Sequence, residues 1–144
     1  MAAMETADTP KSYAFLLLPG FSTLGFSCAL DCLALANHHP TRRQFYNWRL
    51  ISEDGAPVSA YNGVRVEVNS PLTELGRDET LIVCAGENAG RSSTKPILNW
   101  LRRETRKGMD YGALSSGTYT LALAGLIGGK RVTTHWEYKA ALAE

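Results

Sequence analysis

The chain has 144 residues, of which 44% are hydrophobic and 20% are charged, and its formal net charge is +1. These values suit one globular domain with a substantial hydrophobic core. The near-neutral charge excludes a strong electrostatic attraction to nucleic acid or to a membrane surface. The apolar run around Leu16 is far too short to span a bilayer, so no membrane partner is expected.

The cysteine count and the amino terminus indicate the compartment. Three cysteines, an odd number without a paired framework, are typical of a reducing cytosol. The first residues show no basic region followed by an apolar core and a cleavage site, so no signal peptide is predicted and the protein is expected to be cytoplasmic. Residues 1–12 are small and polar and are predicted to form a disordered lead-in. The domain is therefore expected over residues 13–144.

Strand and helix patterns alternate along this domain. In chain order they predict a strand over residues 13–18, a helix over 25–36, strands over 48–52, 64–68 and 80–85, a loop over 90–94, a helix from Pro96 to Gly108, a strand over 111–114, a helix over 116–126, a strand over 130–134 and a helix over 136–143. The first and fourth strands are continuous apolar runs, which indicates burial on both faces. The alternation predicts an α/β fold, a three-layer sandwich whose mainly parallel sheet carries helices on both faces.

The sharpest local motif is Leu114-Ser115-Ser116-Gly117, which stands where a predicted buried strand meets a helix. In α/β folds this sharp turn, the nucleophile elbow, lifts one side chain above the sheet. Gly117 would let the helix and the strand approach closely, and backbone N–H groups at such a turn favour anions. The full motif requires another glycine at the position of Ala113. An ordinary serine N-cap therefore remains an alternative.

His135 is the second candidate site residue, because it follows the last predicted strand. Sites in parallel sheets lie at the carboxyl ends of the strands, so Ser115, Gly86 and His135 are expected to share one crevice. Their chain neighbours Glu87, Ser116 and Trp136 complete the predicted ligand-binding set. A Ser–His pair is typical of nucleophilic catalysis. No carboxylate is evident in the sequence to orient the imidazole, and a purely structural histidine is the alternative.

Other patterns predict no metal site and no cofactor. Gly128-Gly129-Lys130 resembles part of a P-loop, but Arg131 stands where the serine or threonine belongs and the segment follows a helix. Cys28 and Cys32 lie four residues apart on a helix without a second pair of ligands, so they are expected, like Cys84, to be small core residues. The basic cluster is expected to complement a helix C-terminus; it consists of Arg102, Arg103, Arg106 and Lys107.

Four segments occur in the order typical of the PfpI-like branch of the class I glutamine amidotransferase-like superfamily. They are Phe15-Leu16-Leu17-Leu18-Pro19-Gly20-Phe21, Val83-Cys84-Ala85-Gly86, Gly112-Ala113-Leu114-Ser115-Ser116-Gly117 and Val132-Thr133-Thr134-His135-Trp136. The resemblance extends from Tyr13 to Glu144 and implies a flavodoxin-like arrangement of the sheet. The chain most resembles the amino-terminal domains of AraC-type regulators of the GlxA group, through residues 47–52, Asp54-Gly55 and Asn62-Gly63-Val64.

The resemblance also implies roles for individual residues. The family's nucleophilic cysteine corresponds to Ser115, the glycine whose amide faces the nucleophile to Gly86, and the site histidine to His135. The helix-1 glutamate of the superfamily's enzymes would stand near Gly25, which has no side chain. A serine hydroxyl is a far poorer nucleophile than a low-pKa thiolate. The resemblance therefore implies binding of a small metabolite, often an amine or amino-acid derivative, without catalysis.

Three functions remain in competition. The leading one is a metabolite sensor that changes the geometry of a regulator's homodimer. The second is an enzyme of the same fold, a hydrolase, hydratase or glyoxalase-like lyase, that uses the Ser115 and His135 crevice. The third is an oligomerisation domain without a ligand. The domain is expected to be truncated at its C-terminus, because its usual last strand and helix and the carboxy-terminal helix-turn-helix are missing. DNA binding is thus expected only of the parent protein.

Overall fold

A computed structural model describes residues 9–41 and 43–144 of the chain. The elements in chain order are β1 (Lys11–Leu17), α1 (Thr23–Asn37), β2 (Tyr46–Ile51), β3 (Val58–Ser59), β4 (Arg65–Val66), β5 (Glu79–Ala85), α2 (Ala89–Ser92), α3 (Lys95–Thr105), β6 (Tyr111–Ser115), α4 (Gly117–Leu123) and α5 (Lys139–Ala143). A 3₁₀ turn, Trp136–Tyr138, precedes α5. The predicted lead-in over residues 1–8 lies outside the described residues, and β1 begins two residues before the expected start of the domain.

The central sheet has four parallel strands in the order β2-β1-β5-β6. Because β1 and β5 are its inner strands, they contribute buried side chains to both faces. Phe15 and Phe26 meet edge to face on the side of α1, with ring centroids 5.9 Å apart. Leu16 belongs to the core on the opposite side, where α3 and α4 contribute Leu101 and Leu121. The predicted three-layer α/β architecture with a parallel sheet is confirmed.

The predicted strand over residues 64–68 is much shorter in the structure. Only Arg65–Val66 pairs, antiparallel with Val58–Ser59, in a two-stranded ribbon separate from the main sheet. Gly63 turns the ribbon with φ 86°. The predicted loop over residues 90–94 was also wrong in part, because α2 occupies Ala89–Ser92. Its first turn forms as the chain leaves β5, where Ala89 N donates to Gly86 O at 3.1 Å.

The predicted helix over residues 116–126 ends early, at Leu123. Gly125 adopts φ 76°, and its N–H donates to Ala122 O at 2.9 Å while Leu126 N donates to Leu121 O at 3.0 Å. This pair of bonds is a Schellman motif, which closes a helix with a left-handed glycine. Gly125 lies exposed beyond the helix end.

The predicted strand over residues 130–134 does not form, since the segment has no ladder partner in the described chain. Side chains secure it instead: Thr118 Oγ1 donates to Thr133 O at 2.6 Å, and Thr134 Oγ1 donates to Ser115 O at 3.5 Å. The predicted helix over residues 136–143 is divided into the 3₁₀ turn and α5. Within residues 9–41 and 43–144, no helix is long and apolar enough to cross a membrane.

A buried ionic cluster closes the end of the sheet opposite the elbow. Glu104 on α3 is fully buried; its carboxylate accepts from Leu75 N at 2.9 Å, Lys107 Nζ at 2.6 Å and Arg103 Nε at 3.0 Å. Burial alone would raise the pKa of Glu104, but the hydrogen bonds from Lys107, Leu75 and Arg103 outweigh it and hold the pKa below its usual value. The cluster attaches the loop before β5 to α3.

Candidate functional site

Ser115 ends β6 in a left-handed conformation. Its φ of 54° is the one positive value among the described residues other than glycine. Such a conformation costs roughly 1–3 kcal/mol in a residue with a Cβ and is concentrated at functional turns. Ser116 occupies the N-cap position of α4, but its side chain makes no capping hydrogen bond. The geometry is therefore that of the predicted elbow, and the alternative of an ordinary serine cap is not supported.

Two glycines allow the backbone to approach closely around this elbow. A Cβ on Gly117 would collide with Val83 O, and a Cβ on Gly86 would collide with Gly20 O. Gly117 therefore has the role that the sequence predicted, because any side chain would push α4 away from β5. Gly86 forms an isolated bridge with Phe21, so the loops after β1 and β5 are joined directly beside Ser115.

A crevice of about 270 Å³ opens at this carboxyl edge of the sheet. Five of the six predicted site residues line it, namely Gly86, Glu87, Ser115, Ser116 and His135. Trp136 does not line this crevice: its side chain is 75% exposed and lines a neighbouring surface pocket with Val132 and Lys139. The 3₁₀ turn begins at Trp136, and the indole lies beside the His135 ring with centroids 5.5 Å apart.

The environment of His135 differs from the expectation in one respect. Glu137 Oε2 lies 3.8 Å from His135 Nδ1, so a carboxylate does stand beside the imidazole. Both side chains are substantially exposed, and an exposed pair of this kind contributes little. Glu137 N also donates to His135 Nδ1 at 3.4 Å. The Nδ1 atom of His135 is therefore in contact with both a backbone N–H and a carboxylate of Glu137.

The sequence reasoning missed four residues that line the crevice, which are Ser22, Leu24, Tyr61 and Glu137. Ser22 could have been found, because it follows β1 at the carboxyl edge of the sheet. Tyr61 had no sequence signal, since it comes from the β3–β4 ribbon. Tyr61 N donates to Phe21 O at 3.1 Å, and Thr23 Oγ1 donates to Asn62 Oδ1 at 3.2 Å. These bonds hold the ribbon against the start of α1.

Tyr138 stabilises the loop after β5, which contributes Glu87 to the crevice. Its hydroxyl donates to Glu87 O at 2.6 Å and accepts from Ala89 N at 3.1 Å. Its ring packs against Tyr119 with centroids 4.8 Å apart. The tyrosine therefore fastens the segment that carries His135 to the loop after β5. Nothing in the sequence indicated this contact, because the partners are 51 residues apart.

Gly25 lies where the resemblance would place a catalytic glutamate. A Cβ at this position would meet Leu114 Cβ and Ser22 Oγ at 3.9 Å, which is ordinary van der Waals contact. The position therefore adjoins both the end of β6 and a residue that lines the crevice. A Cβ would therefore fit at this position, although the residue here is glycine.

The other predictions for individual side chains had mixed outcomes. Cys28 and Cys32 are exposed, so their assignment to the core was wrong, whereas Cys84 is buried and burial raises the pKa of its thiol well above the usual range.

In the basic cluster, Arg102 donates to Leu123 O at 3.1 Å and Ala124 O at 3.0 Å, and so satisfies carbonyls at the end of α4. No group of three potential metal ligands occurs in the described part of the chain.

The residues that line the crevice give it an acidic character. Its lining contains the carboxylates of Glu87 and Glu137 and the ring of Tyr61, but no lysine or arginine. Hydroxyl groups and the His135 imidazole supply further hydrogen-bonding atoms. Such a surface complements a small cation, because carboxylates attract it and an aromatic face stabilises it.

The chain is similar in sequence to several known proteins. The HTH-type transcriptional regulator CdhR of Pseudomonas aeruginosa is 40% identical over 134 residues, which are 93% of this chain and 39% of that protein. The HTH-type transcriptional regulator GlxA of Rhizobium meliloti is 32% identical over 145 residues, 100% of this chain and 44% of that protein. The isonitrile hydratase of Pseudomonas putida is less similar, with 26% identity over 125 residues, 86% of this chain and 52% of that enzyme.

A solved structure has the same fold. The crystal structure of an AraC family transcriptional regulator from Pseudomonas putida superposes with a TM-score of 0.76 at 29% identity, over 93% of this chain and 71% of that chain. The present chain spans less than half the length of the two curated regulators described above. The profile of the DJ-1/PfpI family matches residues 11–144. The chain therefore belongs to the DJ-1/PfpI family.

Proposed function

We propose that this chain is the ligand-sensing, non-catalytic domain of a cytoplasmic bacterial transcription regulator of the AraC type. The observation that carries the proposal is the elbow, which has a serine at Ser115, together with Gly25, a position beside Leu114 that has no side chain. The similarity to HTH-type transcriptional regulators over nearly the whole chain supports the regulatory role. Binding needs neither a thiolate nor a glutamate, because amides, hydroxyls and an imidazole remain.

The ligand that we propose is a small amine or amino-acid derivative. Glu87 and Glu137 give the crevice two acidic side chains without a basic one, so an ammonium group would be attracted and a simple anion repelled. Tyr61 offers an aromatic face to a cation at the mouth of the crevice. A volume of about 270 Å³ suits a metabolite smaller than a typical drug.

An enzyme of the same fold is the second candidate, and the similarity to an isonitrile hydratase is the observation that favours it. The site opposes it in two ways. The hydroxyl of Ser115 needs a general base, and the Nδ1 atom of His135 is already in contact with the N–H and the carboxylate of Glu137. Gly25 has no side chain, so it supplies no general acid or base.

In the parent protein, DNA binding would belong to a carboxy-terminal domain outside this chain. The net charge of +1 supports the view that the present domain does not bind DNA by itself. We propose that it acts as a homodimer, since regulators that read paired half-sites use two-fold symmetry. The effector would act by changing the geometry of this dimer.

Thermal-shift measurements with betaines, amino acids and polyamines test the sensor proposal. A compound at 100 times its Kd adds about 2.7 kcal/mol to the stability of the folded state, so a raised Tm is expected with at least one amine. Glu87→Gln and Glu137→Gln should each weaken that ligand by about tenfold. The exposed Glu67→Gln is the control and should change nothing. If no compound raises the Tm, or if only anions do, the proposed ligand class is wrong.

A further inference from the structure

A second pocket, with a volume of about 370 Å³, opens near the crevice at the carboxyl edge of the sheet. The loops after β1, β2 and β5 contribute Gly20, Glu53 and Asn88 to it, and α2 contributes Arg91. None of its lining residues lines the crevice. Even consecutive residues of one loop differ, because Glu87 lines the crevice and Asn88 lines the second pocket. The two pockets are therefore separate sites.

The order of the strands favours a ligand at this place. The chain passes from β1 to β2 on one side of β1 and then crosses to β5 on the other side, because the strand order is β2-β1-β5-β6. In open parallel sheets, ligands bind outside the carboxyl ends of the two strands where the order reverses. Gly20 follows β1 and Asn88 follows β5, so the second pocket lies at this point of the sheet.

The second pocket contains one basic and one acidic side chain, Arg91 and Glu53. Within residues 9–41 and 43–144, the Arg91 guanidinium and the Glu53 carboxylate form no ion pair or hydrogen bond with each other or with another group. Asn88 occupies the N-cap position of α2, where an asparagine side chain normally accepts a hydrogen bond, but its side chain makes none. All three polar side chains are therefore available to a ligand.

A guanidinium and a carboxylate in one pocket complement a zwitterion. Arginine binds a carboxylate through two parallel N–H···O bonds, and a carboxylate binds an ammonium group through charge-assisted hydrogen bonds. The Asn88 amide can donate to the same ligand carboxylate as Arg91. A neighbouring pocket of about 480 Å³ shares Glu53 and adds Asp54, without a basic side chain in its lining. The ammonium end of a ligand is therefore favoured on the Glu53 side and the carboxylate end on the Arg91 side.

We propose that the second pocket binds a small amino acid as a zwitterion, with the ligand carboxylate on Arg91 and the ammonium group on Glu53. The crevice differs in charge, because Glu87 and Glu137 attract an ammonium group there but no lysine or arginine lines it to hold a carboxylate. The second site goes beyond the proposed sensor function and does not depend on it, since it uses no residue of the crevice.

Backbone amide shifts in nuclear magnetic resonance spectra test the location. Glycine, γ-aminobutyrate and ε-aminocaproate, whose two charges are increasingly far apart, are titrated into isotope-labelled Glu87→Gln/Glu137→Gln protein, in which the crevice is weakened. At least one of them should shift the signals of Gly20 and Arg91 and leave that of His135 in place. Butyrate and butylamine, which carry one charge each, should bind at least about fivefold more weakly, because each lacks one of the two charged contacts.

Single substitutions test the two contacts. Arg91→Gln and Glu53→Gln should each weaken the zwitterion at least about fivefold. Arg77→Gln and Glu67→Gln change the net charge by the same amounts at exposed positions outside the pocket, so they are the matched controls. Equal weakening in a variant and its control, shifts confined to the crevice, or no binding of any amino acid would overturn the second site. Failure of all amines to raise the Tm of a chain that shows these shifts would overturn only the sensor function.

Discussion

In the proposed function, Ser115 and Gly25 are the residues that favour binding over catalysis in the crevice. The strained turn at Ser115 places a side chain above the sheet, and Gly86 and Gly117 allow the backbone packing that holds the turn in place. A thiol in this position is activated when its pKa falls, but a hydroxyl stays protonated and needs a base. The same scaffold can therefore present either a nucleophile or a binding hydroxyl, and the two side-chain positions decide between them.

We predict that wild type and Ser115→Ala turn over methylglyoxal and activated esters at the same background rate. Ser115→Cys should gain slow turnover, and adding Gly25→Glu should increase it by about 10²-fold, because a general acid or base in reach contributes a factor of that order. A Cβ at Gly25 meets only ordinary contacts, so the added side chain is not expected to unfold α1. Initial rates measure both effects. Wild-type turnover that disappears in Ser115→Ala would instead establish an enzyme.

The segment after α4 is fixed by hydrogen bonds from side chains and not by backbone pairing with a strand. Thr118 and Thr134 attach residues 133 and 134 to the elbow, and Tyr138 attaches the following 3₁₀ turn to the loop after β5. Side-chain hydrogen bonds of this kind contribute about 1 kcal/mol each. The position of His135 therefore depends on a few specific contacts.

We predict that Tyr138→Phe lowers the free energy of unfolding by about 1–3 kcal/mol, because the change removes the hydroxyl partner of Glu87 O and one of the two acceptors of Ala89 N, which keeps Gly86 O. Affinity for the effector should fall several-fold, since the loop that carries Glu87 is loosened. Urea denaturation and isothermal titration measure the two effects. Tyr119→Phe keeps the neighbouring ring and is the matched control. Equal stability in the two variants would show that the hydroxyl bonds are unimportant.

At the scale of the whole molecule, the two ends of the sheet have different tasks. The loops at the carboxyl end hold the crevice, whereas buried and half-buried ion pairs secure the opposite end. There Arg49 binds Glu79 through two bonds of 2.8 Å, and the Glu104 cluster attaches Leu75 to α3. Substitutions in these ion pairs are therefore expected to change stability without changing the crevice.

The Glu104 cluster predicts an acid-labile fold. The folded-state pKa of Glu104 lies below the unfolded value of 4.5, so its contribution is complete above pH 4.5 and is lost as the pH falls through the lowered value. Glu104→Gln should cost about 1–3 kcal/mol at neutral pH and flatten this acid limb. Chemical denaturation between pH 3 and 7 measures both effects, with the exposed Glu67→Gln as control. An unchanged acid limb in Glu104→Gln would contradict the assignment.

The sequence by itself determined those features that local patterns encode. Apolar runs identified the inner strands β1 and β5, because burial on both faces requires uninterrupted hydrophobic residues. The motif at Ser115 predicted either an elbow or an ordinary serine N-cap, and Gly117 was recognised as the residue that lets the helix approach the strand closely. The alternation of the two periods then implied the parallel sheet and placed Gly86 and Ser115 at the same edge.

Only the tertiary structure decided which neighbours each residue meets. Residues 130–134 have the composition of a strand but no strand beside them, and Cys28 and Cys32 have the spacing of a buried pair but face outward. The proximity of Glu137 to His135 depends on the 3₁₀ turn between them and on Tyr138, which binds a loop 51 residues away. A local pattern records the preference of a residue for burial or for a backbone angle. Contacts between residues far apart in the sequence determine which partner satisfies this preference.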